Sequence, residues 1–129
     1  MARTCCLAGI DQALVPLFSA AFKLAGEPSQ PTLARLNVAE LKRRAPDVLV
    51  CDLDDVDADR LELLRQIRFV LPDCLIAVYT GDMKRTWGSA CHFAGANCLL
   101  SKDSSAKELA SGLRDALSTG CYTDPRFAA

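Results

Sequence analysis

The sequence predicts an α/β domain built on a doubly wound parallel sheet. Three observations lead there. Strand-length apolar runs alternate with helix-period segments along the chain, so each strand is followed by a crossover helix. Runs such as Val48-Leu49-Val50-Cys51 are apolar at every position rather than at every second one, as strands covered on both faces are. The composition, 50% hydrophobic and 24% charged over 129 residues, supplies one domain with a sizeable core.

The elements follow in order. Thr4 to Gly9 reads as a first strand, nearly continuous through Cys5, Cys6, Leu7 and Ala8. Leu14, Leu17, Phe18, Ala21 and Phe22 then recur at helical spacing, with Pro16 tolerable near the first turn and Gly26 as the stop. A short, weak second strand falls near Thr32 to Leu36. Asn37 and Glu40 resemble a capping box for a short helix that ends in Lys42-Arg43-Arg44, favourable charges at a C-terminus. Val48 to Cys51 is the clearest buried strand and runs into an acidic stretch from Asp52 to Asp59. Leu61, Leu64, Ile67 and Leu71 form a helical stripe that Pro72 closes. Leu75 to Tyr79 is a fourth strand, leading to Thr80-Gly81-Asp82. A helix with Trp87, Cys91 and Ala94 on one face stops at Gly95. Cys98-Leu99-Leu100 is a fifth strand, leading to Ser101-Lys102-Asp103. Ser105 and Glu108 form a second capping box, Leu109, Leu113 and Leu117 line the last helix, and Gly120 ends it. The domain is thus expected over residues 1–119, with 120–129, containing Asp124-Pro125, as a tail or the start of a linker.

Composition excludes several function classes. A net charge of −1 argues against direct nucleic-acid binding, and 6% aromatics against a stacking platform for single strands. No apolar stretch approaches the ~20 residues a membrane crossing requires. The 7 cysteines form no CxxC pair and mostly sit in apolar runs, so they read as small buried hydrophobes of a reducing, cytoplasmic protein. His92, the single histidine, reads as a partly buried or helix-terminal residue. The Asp55-to-Asp59 run lacks the Gly and the bidentate Glu of a calcium loop, having Arg60 and Gln66 at those positions. It reads as a solvated loop with an N-cap Asp.

In a parallel sheet the chemistry gathers beyond the carboxyl ends of the strands. There the sequence has Asp11, Asp52, Thr80 and Lys102, in four separate segments. A carboxylate pair on that rim can hold magnesium, a cation of oxygen ligands. A carboxylate can also attack a phosphoryl group, whose oxygens a hydroxyl and an ammonium can bind.

At these residues the chain resembles the receiver domain of two-component response regulators, over roughly residues 4 to 118. The segments that carry the resemblance are Pro46-Asp47-Val48-Leu49-Val50-Cys51-Asp52-Leu53, Leu61-Glu62-Leu63-Leu64-Arg65 and Gly95-Ala96-Asn97-Cys98-Leu99-Leu100-Ser101-Lys102-Asp103. They look most like receivers of the NarL/LuxR type. The resemblance implies a flavodoxin-like (βα)5 fold with strand order 2-1-3-4-5. It implies Asp52 as phosphoacceptor, Thr80 as switch hydroxyl and Lys102 as phosphoryl-binding lysine. Asp11, Asp52 and Asp54 would hold Mg2+, Asp54 through its backbone carbonyl. The partner would be a sensor histidine kinase. The resemblance also allows a homodimer through the fourth helix, fifth strand and fifth helix, and a DNA-binding output domain beyond residue 129. Such a domain is a phosphoacceptor in signal transduction and not an enzyme, beyond self-phosphorylation and self-dephosphorylation.

Two positions depart from the pattern. Ile10 stands where the first member of the acidic pair is usual, which predicts weak magnesium binding. Leu99 stands at the aromatic switch position, so an atypical receiver is expected. The alternative is a pseudo-receiver acting as a phosphorylation-independent interaction or dimerisation module. Phe93, off the face of Trp87, Cys91 and Ala94, is a candidate contact for such a surface. A haloacid-dehalogenase-type phosphatase also fits Asp52-Leu53-Asp54-Asp55-Val56. That reading is the less favoured alternative, since the motif normally opens a longer chain and the acidic pair expected after Lys102 is missing.

Overall fold

The computed structural model describes residues 3–128. Five parallel strands form the body of the sheet: β1 (Cys5–Ala8), β2 (Thr32–Ala34), β3 (Val48–Cys51), β4 (Leu75–Thr80) and β5 (Cys98–Ser101). Between and after them run α1 (Val15–Leu24), α2 (Val38–Arg44), α3 (Arg60–Val70), α4 (Arg85–Ala94) and α5 (Ala106–Thr119). The order β2-β1-β3-β4-β5 is the one expected, and a short β6 (Tyr122–Thr123) extends it beyond β5.

Strand alternation divides the core in two. Cys6, Ala8, Leu49, Cys51, Ile76, Val78 and Leu99 face one side, where Leu41 of α2, Leu64 and Ile67 of α3, and Trp87 and Cys91 of α4 cover them. Cys5, Leu7, Val48, Val50, Ala77, Tyr79, Cys98 and Leu100 face the other, covered by Phe18 and Phe22 of α1 and Leu109 and Leu113 of α5. Successive side chains point to opposite faces, so a strand apolar at every position needs helices on both. Six cysteines are buried free thiols and Cys121 is exposed. Burial pushes the Cys5 thiol up to about 11 and those of Cys74 and Cys91 up to about 12, which keeps them protonated and inert.

The expected caps form, with one difference. Ser105 and Glu108 make a full capping box on α5. Asn37 accepts the Glu40 N–H at 2.9 Å, but the Glu40 carboxylate turns to the Arg35 N–H at 2.8 Å instead of closing the box. Asp59 caps α3 through the Glu62 N–H at 3.1 Å, as a loop aspartate there should.

The segment 120–129, expected as a tail or linker, continues the domain as far as it is described. β6 pairs in parallel with β5, placing Tyr122 beside Cys98 and Thr123 beside Leu99. A 3-10 turn over Pro125–Ala128 follows, and Phe127 is only 2% exposed. Apolar burial of Phe127 and parallel pairing outweigh the turn signal of Asp124-Pro125. The β5 edge, part of the expected dimer surface, is therefore taken by β6. His92 ties the two together: its Nδ1 donates to the Ala96 carbonyl and its Nε2 meets the Thr123 hydroxyl, both at 2.8 Å. Its role is structural, as expected. Phe93 is 92% exposed, on the outer face of α4. Among the described residues no helix is long and apolar enough to cross a membrane.

Candidate functional site

The site is set by how closely β1 and β3 approach at their carboxyl ends. Gly9 has φ +70°, and a Cβ there would lie 2.8 Å from the Asp52 carbonyl oxygen, so only glycine lets the first crossover leave beside β3. Asp52 follows β3 directly, with its backbone N–H on the Ala8 carbonyl at 3.1 Å. Thr80 closes β4 and is fully buried. Lys102 follows β5 and donates its backbone N–H to the Thr80 carbonyl at 3.0 Å. Parallel pairing thus brings three separate chain ends to one rim.

Their side chains meet. The Lys102 ammonium lies 2.7 Å from Asp52 Oδ2 and 3.0 Å from Asp54 Oδ2. Asp52 Oδ1 accepts the Asp54 N–H at 2.9 Å, a local turn that folds Asp54 back over the rim. Asp54 Oδ1 accepts the Thr80 hydroxyl at 2.7 Å, and Asp54 Oδ2 accepts the Gly81 N–H at 2.9 Å. The Thr80 oxygen in turn accepts the Asp82 N–H at 3.1 Å and the Trp87 indole N–H at 3.3 Å. With one donor and two acceptor positions in use, that hydroxyl is saturated.

Charge follows geometry. Burial alone would raise the Asp54 carboxyl. The Gly81 N–H, the Thr80 hydroxyl and Lys102 outweigh it and hold the group below its ordinary value. Burial alone would lower Lys102, but hydrogen bonds to Asp52 and Asp54 lift it above its ordinary value. The Asp54 carboxylate and the Lys102 ammonium therefore stand as an ion pair at neutral pH, with the Asp52 side chain on the same ammonium.

Of the residues singled out from the sequence, Asp52, Asp54, Thr80 and Lys102 come together. Asp11 does not join them. Its carboxylate caps the 3-10 turn Gln12–Leu14 by accepting the Ala13 N–H at 2.8 Å, and the residue is exposed. Ile10, beside it, is 7% exposed and packs in the α1–α5 core. The Asp11, Asp52 and Asp54 side chains do not converge as a metal-binding group. Among the described residues no group of three acidic, histidine or cysteine side chains converges to hold a metal ion. The donor chemistry gives the reason. Both Asp54 oxygens and one Asp52 oxygen are taken by Lys102, Thr80 or Gly81, and an alkyl group occupies position 10. The three side chains, so arranged, do not form a carboxylate set for a hard divalent cation.

Sequence reasoning named Asp54 toward a metal only and missed its carboxylate's contacts with Lys102 and Thr80, and it missed the Gly81 N–H and Trp87 as members of the site. Spacing identifies residues that follow a strand, but not which of two neighbouring carboxylates turns inward. The helical stripe placed Trp87 on the core face, where its ring packs, and gave no sign of the indole N–H reaching Thr80.

No protein-family model matches the sequence, and no curated protein matches it. Solved structures match the fold over its length. The isolated receiver domain of RcsB from Salmonella enterica serovar Typhimurium, determined with the phosphomimetic BeF3-, superposes with a TM-score of 0.78 at 17% identity, covering 99% of this chain and 97% of that one. A LuxR-family two-component response regulator from an Aurantimonas species gives 0.73 at 19% identity, covering 99% and 94%. A CheY-like response regulator receiver protein from Methanospirillum hungatei gives 0.72 at 15% identity, covering 92% and 95%. The fold is that of response-regulator receiver domains.

Proposed function

We propose that this chain is a receiver module of a two-component response regulator, of NarL/LuxR type and cytoplasmic, with Asp52 as its phosphoacceptor. The observation that carries this reading is the 2.7 Å contact between Lys102 and Asp52 on the rim that also holds the Thr80 hydroxyl. A carboxylate nucleophile, a cation and a hydroxyl donor around one point are what phosphoryl transfer to a side chain requires.

In the step, an Asp52 oxygen attacks phosphorus of a phosphohistidine on the partner kinase. The P–N bond breaks, its electron pair stays on the imidazole nitrogen, which takes up a proton, and an acyl phosphate forms on Asp52. Lys102 offsets the charge that develops on the phosphoryl oxygens, and the Thr80 hydroxyl and Gly81 N–H can donate to them once released from Asp54. This is a signalling acceptor, not a turnover enzyme.

A second reading is favoured by one observation: the cradle formed by Lys102, Thr80 and Gly81 is already satisfied by Asp54, with Ile10 in place of an acid. On that reading the domain is a pseudo-receiver that binds a partner without phosphorylation. Prolonged incubation with acetyl phosphate, with and without magnesium chloride, separates the two by intact mass. Addition of one phosphoryl group, absent in Asp52→Asn, supports the acceptor. No addition under either condition, or addition retained in Asp52→Asn, supports the pseudo-receiver.

A further inference from the structure

We infer that the Asp54 carboxylate is a resident competitor for the anion cradle of this domain, holding the place that phosphoryl oxygens would take. The inference rests on the receiver reading for the identity of the displaced group, and on geometry for the occupancy itself.

Three donors define the cradle: the Lys102 ammonium, the Thr80 hydroxyl and the Gly81 N–H. All three point at Asp54, at 3.0, 2.7 and 2.9 Å. The two oxygens of one carboxylate thus satisfy a set that would otherwise bind two oxygens of a tetrahedral oxyanion. Bonds from charged donors or to charged acceptors are stronger than neutral ones, and the site is partly desolvated, with the Asp54 side chain 21% exposed. An incoming dianion must therefore break these bonds and also meet a second negative charge unless Asp54 leaves.

Asp54 has room to leave. It lies in a stretch without helix or strand that runs from Asp52 to Asp59, with Asp55, Asp57, Ala58 and Asp59 exposed. Rotating the side chain outward sacrifices only the contacts named above. The Asp54 N–H to Asp52 bond is made by the backbone and survives the rotation. Occupancy is thus a local equilibrium between an inward carboxylate and an outward one with the cradle vacant.

The consequence is that Thr80 is engaged to an anion, and through its oxygen to Trp87 of α4, before any phosphoryl group arrives. Phosphoryl entry substitutes one anion for another instead of filling a vacant site.

The test titrates the 15N-labelled chain with inorganic phosphate and follows the Gly81 and Thr80 amides by NMR, for wild type, Asp54→Ala and Asp54→Asn. The result expected is a saturable shift in Asp54→Ala at a phosphate concentration roughly ten- to a hundredfold below any response of the wild type. The isosteric Asp54→Asn should fall between the two, and serves if the alanine variant does not fold. Equal midpoints in wild type and variants, or no response in either variant, overturn the inference. Acetyl phosphate labelling of the same proteins separates it from the receiver reading. If phosphate enters Asp54→Ala and Asp52 is never labelled, occupancy holds and the acceptor reading fails. If wild type is labelled as fast as Asp54→Ala, the acceptor reading holds and the inference falls.

Discussion

Trp87 donates its indole N–H to the Thr80 hydroxyl at 3.3 Å, which ties the first turn of α4 to the end of β4. The Arg60 guanidinium lies over the same indole ring, 4.1 Å from its centroid. Trp87 is the single tryptophan of the chain, so its fluorescence reports on this junction. Thr80→Val keeps the shape but removes the hydroxyl, leaving the Asp82 N–H and the Trp87 N–H without their acceptor and Asp54 Oδ1 without its donor. The expected cost is about 1–3 kcal/mol in urea unfolding, with a shifted Trp87 emission in the folded state. An unchanged midpoint and spectrum would mean that the Thr80–Trp87 bond is absent in solution.

Lys102 governs how stability changes at both ends of the pH scale. Asp54 is held below the ordinary value of 3.8, so its bonds contribute fully above that value and are lost as pH falls through the lowered one. Lys102 is held above the ordinary 10.5, so its contribution is full below that value and is lost as pH rises through the raised one. Lys102→Met should cost about 1–2 kcal/mol at neutral pH, discounted for its partial exposure. The difference in urea midpoint between wild type and variant should shrink on both the acid and the alkaline limb. A difference constant with pH would show that Lys102 stabilises by packing alone.

Legibility in the sequence followed the size of each physical signal. Val48 to Cys51 is apolar at every position, and its burial on both faces is what that pattern requires. Asp52, Thr80 and Lys102 were legible because the parallel sheet carries every strand end to one rim. Asp54 is legible as a metal-site residue, but its turn toward Lys102 and Thr80 is not, since sequence order does not encode which rotamer a loop carboxylate adopts. The Asp11 carboxylate caps the adjacent 3-10 turn, a short-range bond that strand-end position does not encode. β6 is two residues long and flanked by Asp124-Pro125, too brief for any period to show, and only the burial of Phe127 gives it weight.

Arg68 fastens two loops on the side of the sheet opposite the site. Its guanidinium donates to the Gly95 carbonyl at 2.7 and 3.0 Å, to Leu71 at 2.9 Å and to Cys74 at 2.8 Å, and also reaches the Asn97 side chain. Arg68→Met keeps the apolar stem and strands those carbonyls, so a loss of about 3 kcal/mol is expected by urea unfolding. Gly95→Ala should also destabilise, since φ is +124° and its Cβ would sit 2.7 Å from the Arg68 Cβ. Wild-type stability in Arg68→Met would show that water replaces the guanidinium without loss.

Phe127 is seated on Gly88 of α4, and the pair gives a prediction whose size changes with context. A Cβ at position 88 would lie 2.8 Å from the Phe127 ring and 3.1 Å from Leu99 Cδ1, so Gly88→Ala forces the ring away. Phe127→Ala empties a site where the side chain is 2% exposed and should cost about 3–5 kcal/mol. In that background the Phe127 clash is gone, and the helix preference of alanine over glycine, about 1 kcal/mol, works against the remaining Leu99 contact, so Gly88→Ala should cost far less than in the wild type or be neutral. A double-mutant cycle by urea unfolding measures the coupling directly. Additive costs would mean that the C-terminal turn does not rest on α4, and that residues 122–128 leave the domain in solution as the sequence pattern alone suggests.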